Sequence, residues 1–236
     1  MGAAMWAPQR AAVPGWKILT PSMPGFDGQP QAAERTVDAY ARDLLATLDR
    51  QGVGRAVFAG LSMGGYVLFG VLRQAPDRVE GLLLADTRTS TDTDQRLAAR
   101  YRSIDLARRL GPSAIADDML PAVLGPTTHA ERPDVVAEVR RLIEAQPAET
   151  IVAALEAMIA RPDATDSLAP VRVPTAIVVG DEDRITTVAD AEHMQRHIPG
   201  ATVETLPRAG HMSNLEAPDA FNASLRALVA RVEHGA

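Results

Sequence analysis

The sequence contains no cysteine. Disulfide bonds, thiolate catalysis and cysteine-ligated metals are therefore all excluded. Lysine is almost absent too. Lys17 is the single one among 24 basic residues, a bias that reads as codon usage rather than function. Positive charge is in deficit, with a net charge of -6. A mildly acidic surface lacks the basic face that nucleic acids select. No apolar run approaches the roughly 18 residues of a membrane span. The opening stretch MGAAMWAPQR has no charged segment followed by an apolar core, so a secretory leader is not expected. Trp6 departs from the myristoylation pattern. The expectation is a cytoplasmic protein that binds neither nucleic acid nor membrane and carries no cofactor or metal. No feature of the sequence specifies an oligomeric state.

What is present points to an α/β fold. A chain of 236 residues with 46% hydrophobic content can build one large domain with a decorating subdomain. Short continuous apolar runs alternate with stretches of helical period, the pattern of a mostly parallel sheet with helices on both faces. Strands are predicted at residues 17–20, 56–61, 79–85, 175–179 and 202–206, each bounded by Gly, Pro or polar residues. Helices are predicted at 36–50, 64–74, 189–197 and 218–232. In the first, Val37, Tyr40, Ala41, Leu44, Leu45 and Leu48 form an apolar stripe, with Thr36 placed as the N-cap. Residues 92–166 differ in texture. They carry four helical segments (94–110, 113–124, 133–145 and 149–161), Gly-Pro and Pro punctuation, and no strand. They read as a helical lid inserted into a core formed by residues 1–91 and 167–236.

The sharpest local signal is Gly60-Leu61-Ser62-Met63-Gly64-Gly65, between an apolar strand and an amphipathic helix. This is a G-x-S-x-G nucleophile elbow in its required context. A serine on so sharp a turn demands that residues two before and two after carry almost no side chain. The helix that follows favours negative charge at its start, and the Met63 N–H is placed to donate to an oxyanion. A serine hydroxyl needs a base to take its proton. His211, in Arg208-Ala209-Gly210-His211-Met212 after the last predicted strand, fits that role. His129 falls in the lid and His234 in the tail. His193 and His197 have a spacing that suits a metal but reads as a solvated helix face. A carboxylate should orient the imidazole. Asp183, in Gly180-Asp181-Glu182-Asp183, is preferred over Asp181 and over Asp86 at the end of VEGLLLAD.

Taken together these residues resemble the α/β-hydrolase superfamily, in its lidded esterase, enol-lactonase and cofactor-free haloperoxidase branch. The resemblance covers nearly the whole chain. The stretch Met5-Trp6-Ala7-Pro8-Gln9 looks like the helix after the family's first loop. Residues 21–28 are similar to its D-x-P-G-x-G segment, with Ser22 where Asp is more usual. Residues 60–65, 180–183, 210–211 and 214–218 resemble its elbow, acid loop, Gly-His loop and the stretch that follows. The resemblance implies a serine hydrolase acting on a small ester or lactone through an acyl-enzyme on Ser62, with Asp183 and His211 completing the triad and Met63 in the oxyanion hole. It also implies an apolar strand ending in His-Gly ahead of Met5, which is not in this sequence. No residue is thus assigned the second oxyanion donor, whose loss lowers rates on the order of 10²–10³-fold. The expectation is a late-start fragment, with direct pairing of residues 17–20 against 56–61 as the alternative. An impaired hydrolase or a non-catalytic ligand-binding relic is the alternative function.

Overall fold

A strand covered on both faces needs no polar alternation, so AVFAGL, VEGLLLA and TAIVVG all qualify. In the computed structural model, which describes residues 1–235, they form β1 (Ala56–Leu61), β2 (Val79–Ala85) and β3 (Thr175–Gly180), joined by β4 (Thr202–Leu206). The four strands make one parallel sheet in the order β1-β2-β3-β4. Successive side chains leave a strand on opposite faces. Leu82, Leu84, Ile177 and Val179 pack in one cluster with α1 (Val37–Arg50), α2 (Met63–Gln74) and α7 (Val188–His197). Leu83, Ala85, Ala176 and Val178 pack in the other with α9 (Pro218–Glu233). The α/β architecture with helices on both faces is as expected. Thr36 caps α1 by accepting from the Ala39 N–H at 3.1 Å.

One predicted strand is absent. Residues 17–20 are irregular, and β1 bonds to β2 alone. A β-prone tetrapeptide has no independent stability and needs a neighbour to pair with. The direct pairing of residues 17–20 with β1 therefore does not occur. Both segments instead line the wall of a cavity of about 970 Å³.

Between β2 and β3 the chain forms α3 (Asp94–Val123), α4 (Pro126–Glu131), α5 (Pro133–Glu144) and α6 (Ala148–Ile159). Both helices expected at 94–110 and 113–124 are present within α3, separated where Gly111 leaves helical geometry (φ 78, ψ -171) ahead of Pro112. The six residues of α4 were hidden by their Gly-Pro punctuation; Pro126 sits in its first turn, where no intrahelical N–H is required. Helix α3 packs on α5 and α6 through Ile104, Ile115, Val139, Leu142 and Val152.

Polar clips tie this helical segment to the sheet's loops. The Asp92 carboxylate takes two bonds from Arg161, each 2.9 Å, and two more from Arg100. Arg161 also stacks 4.4 Å above the Tyr66 ring of α2. Burial opposes ionisation of Asp92, but the two guanidiniums win and hold its carboxyl far below the usual range. Glu182 accepts from the Thr127 N–H at 2.9 Å and from its hydroxyl. Glu216, in the short helix α8 (Ser213–Glu216), accepts from Gly125 N–H at 2.8 Å and Met212 N–H at 3.0 Å. Among the described residues no helix is long and apolar enough to cross a membrane.

Candidate active site

Strand β1 hands directly to α2 through Ser62, whose backbone sits at φ 53, ψ -115. A non-glycine residue there is strained by about 1–3 kcal/mol and persists only where its surroundings force it. They do. The Ser62 N–H donates to Ala85 O at 2.9 Å, and the Thr87 hydroxyl donates to Ser62 O at 2.9 Å. A Cβ on Gly60 would lie 2.6 Å from the Gly64 carbonyl carbon and 2.9 Å from Gly65 N. Only glycine fits. After the serine the steric demand falls one residue later than expected. A Cβ on Gly64 would meet nothing within 4 Å, whereas one on Gly65 would come within 2.4 Å of the Thr87 hydroxyl. Met63 opens α2, where backbone N–H groups have no intrahelical acceptor.

The three residues singled out for chemistry lie far apart in sequence and meet at the carboxyl edge of the sheet. His211 Nε2 is 2.8 Å from Ser62 Oγ. His211 Nδ1 is 2.7 Å from Asp183 Oδ2. The Asp183 Oδ1 accepts from the N–H groups of Ile185 (2.7 Å) and Thr186 (3.0 Å). The Thr186 hydroxyl donates to Asp183 Oδ2 and also lies 3.2 Å from His211 Nδ1. Burial works to raise the Asp183 carboxyl, but His211 and these donors outweigh it and hold it below the ordinary carboxylate range. Burial likewise works to lower the His211 imidazole. The bond to Asp183, that carboxylate's charge and the charge of Asp86 outweigh it, so His211 stands above its ordinary value of 6.5. With Asp183 ionised, Nδ1 carries the proton and Nε2 faces Ser62 as an acceptor.

The competing carboxylates have other partners. Asp181 accepts from the Arg208 N–H at 2.7 Å and so joins the loop after β3 to the loop after β4. Asp86 is buried and accepts from Gly180 N–H at 3.0 Å and from the Ser213 hydroxyl. Burial pushes its carboxyl up to about 7. The remaining histidines lie elsewhere. His129 Nε2 is 3.0 Å from Leu120 O, His193 and His197 stack at 4.4 Å on α7, and His234 follows α9. Sequence reasoning missed Thr186 and Ser213. Thr186 stands three residues after Asp183, a spacing that could have suggested a side chain turned back onto the carboxylate.

Ser62, Met63 and His211 open onto the 970 Å³ cavity. From the helical segment, Met119, Val123, Ile143 and Met158 line it. Leu120, Leu124 and Leu142 are buried in the core beneath. Ile159 packs half-buried against that core.

The sequence profile described as "Alpha/beta hydrolase family" matches residues 1–224. The chain is 30% identical over 195 residues to 3-oxoadipate enol-lactonase 2 of Acinetobacter baylyi, covering 83% of this chain and 71% of that one. In three dimensions it is similar to a thermophilic esterase from Thermogutta terrifontis, with TM-score 0.93 and 34% identity over 98% of this chain and 86% of the other. It is also similar to the enol-lactonase from Burkholderia xenovorans LB400, with TM-score 0.88 and 27% identity over 97% and 87% of the two chains.

Proposed function

The chain belongs to the alpha/beta hydrolase family, and from that premise we propose that it hydrolyses a small carboxylic ester or lactone through an acyl-enzyme on Ser62. One observation carries this reading above the family level: the unbroken chain Ser62 Oγ, His211 Nε2, His211 Nδ1, Asp183 Oδ2, with contacts of 2.8 and 2.7 Å. Relatives named as enol-lactonase and esterase support the substrate class.

Ser62 Oγ attacks the carbonyl carbon while His211 Nε2 takes its proton. The carbonyl oxygen becomes an oxyanion and accepts from the Met63 N–H. Asp183, held ionised by Thr186 and two backbone donors, stabilises the imidazolium. Collapse breaks the ester C–O bond, and the leaving alkoxide takes the proton from His211. In a lactone the new alcohol stays tethered to the acyl group. Water then attacks the acyl carbon, gives its proton to His211, and the acid leaves as Ser62 regains its hydrogen. Helices α3 to α6, in residues 92–166, serve in this reading as a lid, since Met119, Ile143 and Met158 line the cavity onto which Ser62 opens.

Hydrolysis of p-nitrophenyl acetate and butyrate tests the proposal, with Ser62→Ala alongside. The native chain turns over and the variant loses on the order of 10⁴-fold or more in kcat. Equal activity of the two proteins overturns the assignment.

A further inference from the structure

One short stretch of chain touches all three loops that carry Ser62, Asp183 and His211. Strand β2 ends at Ala85, and Asp86 and Thr87 follow it. Ala85 O accepts from the Ser62 N–H at 2.9 Å, and the Thr87 hydroxyl donates to Ser62 O at 2.9 Å, so this stretch fixes the elbow. The Asp86 carboxyl reaches the other two loops. Its Oδ1 accepts from the N–H of Gly180, which opens the Asp183 loop, at 3.0 Å. Its Oδ2 accepts from the hydroxyl of Ser213, two residues after His211. Both Asp86 and Ser213 are buried. The Asp86 backbone is held at φ 44, with its N–H donating to Val178 O at 2.9 Å. That is a left-handed conformation, which Asp and Asn tolerate better than most side chains.

Asparagine could make the same two contacts, since its amide oxygen accepts and its NH₂ donates to a hydroxyl. A buried carboxyl is the costlier group once it ionises. Burial pushes this one up to about 7, so at pH 8 it is mostly ionised. The charged groups that face His211 are Asp183, from the loop after β3, and Asp86 and Arg88, from the loop after β2. Asp183 and Asp86 favour the imidazolium and Arg88 opposes it. Glu216 of α8 is taken up by the N–H groups of Gly125 and Met212 and by the Thr128 hydroxyl. We propose that Asp86 is the positioning residue of this site: one buried carboxyl sets the Asp183 loop and the His211 loop at a fixed separation, and its charge acts with that of Asp183 on the imidazole. The proposal rests on the Ser62 reading above and accounts for how a 2.7 Å contact between two separate loops is kept to length. Asp86 acts through Gly180 and Ser213 and takes no proton from the substrate or from Ser62.

Two variants test it. Asp86→Gly removes the carboxyl and tolerates the positive φ. Asp86→Asn keeps both hydrogen bonds and removes the charge. Turnover of p-nitrophenyl butyrate is expressed per Ser62 labelled to completion by a fluorophosphonate, which counts folded protein only. Asp86→Gly loses on the order of 10²-fold in kcat, as for groups misplaced by about 1 Å, with KM little changed. Asp86→Asn recovers most of that loss at the alkaline plateau. Its kcat/KM profile nevertheless reaches half-maximum at a lower pH than the native one, because a charge that favoured the imidazolium is gone. Native kcat in Asp86→Gly, an Asp86→Asn protein as slow as Asp86→Gly, or an Asp86→Asn profile that stays in place overturns the proposal while leaving the Ser62 reading intact. If the native chain hydrolyses nothing, the Ser62 reading fails, and NMR of the His211 ring decides the role of Asp86 by itself. A downfield Nδ1 proton that is lost in Asp86→Gly and kept in Asp86→Asn, with a lower His211 pKa in Asp86→Asn, upholds it. A native Nδ1 resonance in Asp86→Gly, or a native His211 pKa in Asp86→Asn, removes it.

Discussion

Alanine at two glycines of the same elbow should have opposite effects. At Gly60 the new methyl would stand 2.6 Å from the carbonyl carbon and 2.7 Å from the carbonyl oxygen of Gly64, and 2.9 Å from Gly65 N. All three are backbone atoms in the first turn of α2, so no side chain can swing aside. Overpacking of this kind costs about 1–3 kcal/mol, with the upper end apt where backbone must move. For a chain of this length each kcal/mol shifts Tm by about 2–4 °C. Gly60→Ala is therefore expected to lower Tm by roughly 2–12 °C. The same displacement moves Ser62 off its φ of 53° and away from His211. Labelling of Ser62 by a fluorophosphonate should slow on the order of 10²-fold, since misplacement of about 1 Å has that effect. At Gly64 the added methyl meets nothing within 4 Å. Alanine also has the higher helix propensity, so Gly64→Ala should be neutral or stabilising by up to about 1 kcal/mol. Thermal melts and labelling rates of both variants check this. A Gly60→Ala protein that melts and labels like the native chain, or a Gly64→Ala protein damaged as much, refutes the steric account of the elbow.

Other expectations follow from the charges. His211 acts as a base only when neutral and its folded pKa stands above 6.5, so kcat/KM should rise with pH to a half-maximum above 6.5. Asp183→Asn should lower kcat by about 10⁴-fold through the wrong tautomer; a pH–rate profile centred at or below 6.5 contradicts the first expectation. Asp86 has a folded pKa of about 7 against an ordinary 3.8, so the stability it contributes is present below 3.8 and lost as pH climbs to 7. Asp86→Asn should then raise Tm at pH 8 by the equivalent of roughly 4 kcal/mol at most and much less at pH 4; equal effects at the two pH values contradict it. Asp92 is the reverse case, with a folded pKa below 3.8, so its contribution is present above that value and lost on acidification through the lower folded pKa. Asp92→Asn strands Arg161 and should cost about 3–5 kcal/mol, a Tm fall of roughly 6–20 °C by melting at pH 7.

The parts of the fold that could be read from sequence are those set by local chemistry. Strands β1 to β3 are apolar runs covered on both faces, and α1 announces itself by its stripe and its Thr36 cap. The elbow was legible because a strand, a small-residue turn and a helix must occur together there. Residues 17–20 misled because strand formation depends on a partner, which a tetrapeptide cannot specify. Helix α4 was lost because Pro126 and Gly125 punctuate a helix start as readily as a loop. At the candidate site, Ser62, Asp183 and His211 were singled out by their places after strands, and the structure brings the three side chains into contact. Thr186 and Ser213 were not, since both matter through burial and partners. Asp86 reads in sequence as a rival for the place of the acid, and only the packed structure shows its carboxyl joining Gly180 to Ser213.

The central claim is that Ser62 becomes covalently modified by way of His211. Incubation with a fluorophosphonate followed by intact mass and peptide mapping tests it most directly. A single adduct on the peptide containing Ser62, formed faster as pH rises through the His211 pKa and absent from Ser62→Ala, is the result the account predicts. Labelling that survives Ser62→Ala, or that maps to another residue, contradicts it.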